Sequence, residues 1–176
     1  MRGKKGVPHP DPLDPPRRRA NQARGHGTWD TDRPPICGVV ERCGGPLRLR
    51  VGEHADGATL QEFVRRQTWP GTVVNTDDWS GYNRLPEVGR GHVTVCHAAG
   101  EWARDDDGDG VREVHNNTQE GIWTGLRNFL RMFRGVSKKY LYQYVAIFQW
   151  GYNLKEATVE FLRALLGVRH PTTCPT

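Results

Sequence analysis

The chain has 176 residues, a formal net charge of +5 at pH 7 and a sequence pI of about 9.2. This length suits one domain with its own core, and the basic balance favours polyanionic partners, nucleic acid first, although mild basicity is common among proteins. No run of about 18 apolar residues occurs and no apolar stretch follows the basic start, so we expect neither a transmembrane helix nor a secretory signal.

The signatures of several protein classes are absent. The four cysteines form no C-x-x-C pair, which argues against a zinc ribbon and a small disulfide scaffold and makes a reducing cytosol the expected compartment. The chain contains no G-x-x-x-x-G-K-[ST], G-x-G-x-x-G or G-x-S-x-G. ATP hydrolysis, dinucleotide binding and α/β-hydrolase chemistry therefore lack their motifs.

Residues 1–34 are basic, rich in proline, and without a helix or strand period. We predict that they form an extended arm. A run of three arginines lies within the arm: Arg17, Arg18 and Arg19. Two interpretations are equally good: the run contacts phosphate, or it belongs to a solvated tail.

Ordered secondary structure is predicted to begin at Ile36. Two apolar runs there flank a Gly-Gly-Pro turn and indicate a β-hairpin. The predicted elements are strands over 36–41 and 47–51, a helix over 59–66, strands over 72–75 and 93–96, an acidic loop over 101–110, and helices from 117 or 118 to 134, over 138–150 and over 154–166. Strands, a mixed region and then a helix packed on the sheet suit an α/β or α+β domain.

The helix predicted up to residue 134 has the clearest amphipathic pattern. At about 100° per residue, four charged residues of its polar face fall within about 60° of one another: Glu120, Arg127, Arg131 and Arg134. Its apolar face carries Ile122, Leu126, Phe129 and Phe133. This layout suits a metal ion at one end and a phosphate backbone along the rest.

Two carboxylates stand at positions where chemistry is expected. Asp77 comes where a predicted strand meets a loop, and ligands gather at the carboxyl ends of strands in open α/β sheets. From position alone, a turn-forming or capping aspartate is the stronger interpretation. Glu120 falls at a capping-box position if Asn117 is the N-cap, so a structural role competes with metal binding. The arginines behind Glu120 favour function, because capping does not require them.

The acidic loop resembles the start of a calcium-binding loop, because Asp105 begins a D-x-D-x-D-G string. The twelfth loop position is Asn116, where an EF-hand needs a bidentate glutamate. We therefore predict a solvated acidic loop, with a peripheral cation site as the open alternative.

Histidines and tryptophans complete the candidates. Three histidines could cluster near Asp77 and Glu120, but they lack the spacing of a metal-binding helix, and surface or hydrogen-bonded residues are the stronger interpretation: His92, His97 and His115. Three tryptophans are predicted to pack in the core: Trp102, Trp123 and Trp150.

Several strings are informative when taken together. They are 76–82 (TDDWSGY), 95–97 (VCH) and 115–123 (HNNTQEGIW) with Arg127 after it, joined by 35–42 (PICGVVER). Together they resemble a DDE-type transposase of bacterial insertion sequences, most closely the ISXO-like transposase domain. The strings 15–21, 101–110 and 128–131 resemble one subgroup of that family, so that the resemblance runs from about residue 4 to about residue 166.

The resemblance implies a ribonuclease-H-like α/β fold, a mixed sheet flanked by helices, with three acidic ligands for two Mg²⁺ (or Mn²⁺) ions. Asp77 would match the second acid and Glu120 the third, with Arg127 in the place of the family's basic residue. Two such metals activate the attacking oxygen and stabilise the leaving one in phosphoryl transfer. The implied partners are DNA, both element ends and target, and further copies of the chain on paired ends, in the bacterial cytoplasm.

The family's first acid lies on a first strand, in an Asp-Glu-x-Tyr context that this chain does not contain. We therefore expect a shortened copy without that strand and with weak or no catalysis. The expected domains are an arm over 1–34, a ribonuclease-H-like catalytic domain over 35–167 and a disordered tail over 168–176. The rival hypotheses are a non-catalytic DNA-binding fragment and an inert relic.

Overall fold

A computed structural model describes residues 27–31, 33–156 and 158–167. Its elements are β1 (Ile36–Val40), β2 (Leu47–Val51), α1 (Gly57–Gln67), β3 (Val73–Asp77), β4 (Gly91–Val95), β5 (Ala103–Arg104), β6 (Val114–His115), α2 (Asn117–Arg131), α3 (Lys138–Asn153) and α4 (Val159–Leu165). The predicted arginine run Arg17, Arg18 and Arg19 and the predicted tail lie outside the described residues. None of the described helices is long and apolar enough to cross a membrane.

The predicted hairpin is confirmed, since β1 and β2 pair antiparallel with Val40 opposite Leu47. Two side chains of α3 cover the outer edge of β2. Asn153 accepts from the Leu47 amide at 2.7 Å and donates to the Leu47 carbonyl at 2.9 Å, and Gln149 accepts from the Leu49 amide at 2.5 Å. These side chains occupy backbone groups that an open strand edge would expose.

The other edge of the hairpin, on β1, is open. Because the amides of Leu47 and Leu49 point to α3, their partners Val40 and Gly38 occupy the non-hydrogen-bonded positions of the ladder. The amides of Gly38 and Val40 therefore point away from β2, and no described residue bonds them. This edge lines a cavity of about 1210 Å³, and β3 lines the same cavity.

Strands β3 and β4 pair in parallel, with Asp77 opposite Val95, so that both strands end at the same side of the sheet. β6 contacts both strands and leads directly into α2. Helix α1 packs on β1 through a cluster that contains Cys37, Leu60 and Phe63. The result is a mixed α/β architecture, as expected, with two-stranded sheets among the described residues.

The helices differ from their predicted bounds. α2 ends at Arg131, and Arg134 has a positive φ of 52°, so the helix does not continue to residue 134. α3 runs through the predicted break at Gly151, because Asn153 is fixed to β2, and α4 starts only at Val159.

Two of the three tryptophans predicted to pack are more than half exposed. Trp102 lies between β4 and β5, and Trp150 contacts Phe161 from the surface of α3 with the two rings tilted by 36°. Only Trp123 approaches the interior, against β1.

Candidate functional site

Asp77 is the last residue of β3 and lines the cavity beside β1. Its carboxylate makes no hydrogen bond or ion pair with any described residue, so it does not cap the turn that follows. The charge of Asp77 affects the nearby Tyr82: burial first, and the Asp77 carboxylate second, raise the pKa of Tyr82 to about 12. A half-buried carboxylate without a protein partner is available to a cation.

Glu120 does not occupy a capping-box position, because α2 starts one residue earlier than that interpretation requires. Asn116 is the N-cap and makes no side-chain cap bond, which makes Glu120 the fourth helical residue. Its amide bonds to the Asn116 carbonyl at 3.2 Å. Its side chain is 48% exposed, and Oε1 lies 3.1 Å from Nε2 of His97. The capping-box interpretation of Glu120 is therefore wrong, although Glu120 remains the acidic residue of the first turn of α2.

His97 follows β4 by two residues and links the end of that strand to α2. Its ring lies 4.8 Å from the Trp102 ring, tilted by 32°. Both ring nitrogens are shielded from solvent, and neither makes a hydrogen bond with a described residue, so the approach to Glu120 is a close polar contact that does not meet hydrogen-bond geometry. An unpaired buried polar atom costs about 1–3 kcal/mol, and in a native fold such an atom calls for an explanation.

The turn that carries His97 is held by several polar contacts. Glu101 accepts from the Cys96 amide at 3.0 Å, and Arg104 donates to Glu101 at 2.8 Å and to the Thr94 carbonyl at 3.1 Å. The Cys96 amide, and then Arg104, lower the pKa of Glu101. The Cys96 thiol donates to Asp78 at 3.0 Å, which ties the end of β4 to the end of β3.

Polar side chains of β6 and α2 also face the cavity. Nδ1 of His115 and Nε2 of Gln119 are buried without a hydrogen-bond partner among the described residues. Burial, and then the charge of Arg42, lower the pKa of His115. The fit of α2 on β1 is close: a Cβ at Gly38 would lie 2.9 Å from Gln119 and 2.9 Å from Trp123.

The predicted arginine stripe is only partly realised. Arg127 lines the cavity and donates to Thr124 at 3.0 Å, and Arg131 is exposed at the last turn of α2. Arg134 lies beyond the helix on left-handed backbone, so the helical stripe does not include it. The site therefore has two exposed helical guanidiniums behind Glu120.

The acidic loop forms a cluster of its own. Within the described part of the chain, one group of possible metal ligands has its atoms within 4.8 Å of one another: Asp105, Asp107, Asp109 and Glu113. Asp105 accepts from the amides of Gly108 and Gly110 at 2.6 and 2.8 Å, and the chain then enters a strand instead of the exiting helix of an EF-hand.

The histidines prove to be distributed around the site. His92 contacts the Thr76 hydroxyl at 2.8 Å, and burial lowers the pKa of His92. The sequence interpretation raised a cluster of all three histidines near Asp77 and Glu120 but favoured surface or hydrogen-bonded roles, and it did not single out the contact of His97 with Glu120. A signal was present, since His97 ends a string that directly follows a predicted strand.

Two comparisons with known proteins connect the chain with transposable elements. The profile of the ISXO2-like transposase domain matches residues 10–153. An uncharacterized protein in transposable element ISH50 of Halobacterium salinarum is 29% identical over 136 residues, which cover 77% of this chain and 44% of that protein. The chain thus spans less than half the length of this relative. No solved structure matches the chain.

Proposed function

Because this chain belongs to the family of ISXO2-like transposase domains, as its sequence strings predicted, we propose that it carries a metal-dependent site for the DNA cleavage and strand transfer of transposition. One observation carries the proposal. Glu120 is held against His97 beyond the end of β4, and the parallel neighbour of β4 ends in the unpartnered Asp77. This arrangement supports a site in which both carboxylates act at the same side of one sheet.

The residues fit a Mg²⁺ or Mn²⁺ ion. Mg²⁺ at phosphoryl-transfer sites is bound through one or two carboxylates together with substrate phosphates and water. Asp77 has both carboxylate oxygens free of described partners, and in Glu120 Oε2 likewise has no described partner while Oε1 faces His97. The bound metal would polarise the phosphoryl oxygen and lower the pKa of an attacking water.

DNA would follow the basic side of α2. Arg127 and Arg131 are exposed one helical turn apart, and guanidiniums bind phosphate through two parallel hydrogen bonds. The spacing lets a phosphate backbone run along the helix from Glu120. Arg134, and the run Arg17, Arg18 and Arg19, remain predicted phosphate contacts.

We also propose a ribonuclease-H-like sheet in which one more strand lies between β1 and β3. The open edge of β1 and the outer edge of β3 line one cavity of about 1210 Å³. An inserted strand would pair with both edges at the usual spacing of about 4.8 Å on each side. The amides of Gly38 and Val40 supply donors for that pairing.

A DNA-binding protein without catalysis is the second candidate. It is favoured by the same open edges, because a sheet with an unfilled gap positions Asp77 less firmly than a closed sheet would. In this case the basic face of α2 would bind duplex while DNA cleavage stays undetectable.

DNA cleavage tests the first candidate. We expect at most weak Mg²⁺-dependent nicking or strand transfer on duplex that carries the ends of the encoding element, as the sequence predicts, and loss of this residual activity in D77N and in E120Q, which keep side-chain size and remove charge. D109N is the matched control, because Asp109 lies in the separate acidic cluster. Full activity in D77N or E120Q would refute the proposed site, and binding without any cleavage would support the second candidate.

The salt dependence of DNA binding tests the basic face. Each phosphate contact contributes about 0.9 to the slope of log affinity against log salt, so R127A and R131A should each reduce the slope by about 1. Arg84→Ala is the control, because Arg84 lies outside α2 and pairs with Glu87. An unchanged slope in both helix variants would remove α2 from the DNA interface.

A further inference from the structure

We propose that His97 is a positioning residue for Glu120: its imidazole holds one carboxylate oxygen so that the other oxygen is presented to the metal. The proposal rests on the proposed function, since it assumes that Glu120 binds a cation. The carrying observation is the 3.1 Å contact between His97 Nε2 and Glu120 Oε1, made from a turn that the surrounding residues hold in place.

The turn is built independently of Glu120. Its first residue is anchored by Glu101 through the Cys96 amide, and Arg104 in turn fixes Glu101. The Gly100 amide closes the turn onto the His97 carbonyl at 3.0 Å. His97 is thus fixed on the strand pair that ends in Asp77, whereas Glu120 is a half-exposed side chain in the first turn of α2. The anchored histidine can therefore orient the more exposed carboxylate.

Trp102 fixes the plane of the imidazole. Its ring lies 4.8 Å from the His97 ring although the tryptophan side chain is 61% exposed. An ordinary surface histidine would turn its nitrogens to water, but both His97 nitrogens are shielded and make no hydrogen bond with a described residue. A small rotation of the exposed Glu120 would align the contact with Nε2–H, and such contacts commonly tighten when a site is filled.

We do not assign His97 as a metal ligand. The tightest cluster of ligand atoms among the described residues is the acidic loop, and His97 does not share such a cluster with Asp77 and Glu120. Residues that orient a ligand by a hydrogen bond commonly account for about 10–100-fold in metal affinity. The expected effect of His97 lies in that range.

Iron-dependent cleavage of the protein backbone tests the proposal without requiring DNA chemistry. Fe²⁺ replaces Mg²⁺, ascorbate and peroxide generate radicals at the bound ion, and mass spectrometry maps the cuts. In the wild-type chain we expect cuts near residues 77 and 120 that Mg²⁺ suppresses. Cuts over 105–113 report the acidic loop separately and serve as an internal control.

Three substitutions separate positioning from other roles. In H97A, the Fe²⁺ concentration that gives half-maximal cutting near residues 77 and 120 should rise by about tenfold or more. H97Q places an amide nitrogen close to the position of Nε2 and should restore most of the affinity, whereas H97N places it near Nδ1 and should not. H97Q and H97N should have the same thermal midpoint. Both should also be cut at the acidic loop to the same extent.

The outcomes separate the two proposals. If the wild-type chain shows no cuts near 77 and 120, the proposed metal site fails. If those cuts appear and H97A leaves their Fe²⁺ dependence unchanged, the positioning role alone is overturned. Equal loss in H97Q and H97N would also overturn it, because a metal ligand or a packing role predicts no recovery with a glutamine donor.

Discussion

Arg90 is the charged side chain that the described residues bury most completely, at 7% exposure. Its guanidinium donates to the carbonyls of Arg65, Thr68 and Val88 and to the Thr68 hydroxyl, at 2.5 to 3.0 Å. Two of these carbonyls lie at the end of α1, where backbone oxygens lack helical partners. A cation also interacts favourably with the negative end of the helix dipole.

We predict that Arg90→Met, which keeps much of the volume, lowers the free energy of unfolding by about 3 kcal/mol, because it leaves several buried carbonyls unpaired. Urea denaturation of the two proteins measures the difference. Arg84→Met is the control, since Arg84 is exposed and its pair with Glu87 is solvated. Equal destabilisation by both variants would show that Arg90 does not fix the end of α1.

At the scale of the element, α1 carries an acid-sensitive cluster. Glu62 accepts from Arg65 at 2.7 Å and from Arg66 at 2.6 Å, and these hydrogen bonds lower the pKa of Glu62 to about 2. A carboxyl with a lowered pKa in the folded state stabilises the fold above its unfolded pKa of about 4.3, and this contribution is lost as the pH falls through the folded value.

We therefore predict that E62Q flattens the pH dependence of stability between about pH 5 and pH 2 and leaves the slope above pH 6 unchanged. Thermal melts across this pH range give the comparison. The pair is exposed to solvent, so the effect should shrink in 1 M salt. A wild-type acid slope that survives intact in E62Q would assign the acid sensitivity to other carboxyls.

At the scale of the whole molecule, the two edges of the β1–β2 hairpin are treated differently. The edge on β2 is occupied by Gln149 and Asn153, whereas the edge on β1 opens into the cavity that β3 also lines. Backbone groups in such an edge are a template for another strand. The edge on β2 is therefore protected, whereas the edges on β1 and β3 can accept another strand.

Hydrogen exchange should show the open edge of β1 as an alternation of slow and fast amide exchange along the strand. The amides of Cys37 and Val39 should exchange slowly, because they face β2, while those of Gly38 and Val40 should exchange much faster. N153A should additionally expose the Leu47 amide, which now donates to Asn153. Equal protection of Gly38 and Val39 in the wild-type chain would mean that a strand already fills the gap.

The hairpin and α1 were predictable because apolar periodicity and turn residues are local signals. The end of α2 was not, since Arg134 fits the helical face and only the left-handed backbone shows that the helix has ended. The extension of α3 past Gly151 depends on bonds between Asn153 and a strand about a hundred residues earlier, which no local pattern encodes.

The sequence by itself determined the family and the two candidate acids, because the strings around Asp77 and Glu120 are local and specific. It left the role of Glu120 divided between capping and chemistry. Only the tertiary structure decided against capping, by starting α2 one residue earlier and by bringing His97 from the end of β4 to the carboxylate. The reason is physical: a cap is a contact within one turn of chain, whereas a site is made by the packing of distant elements.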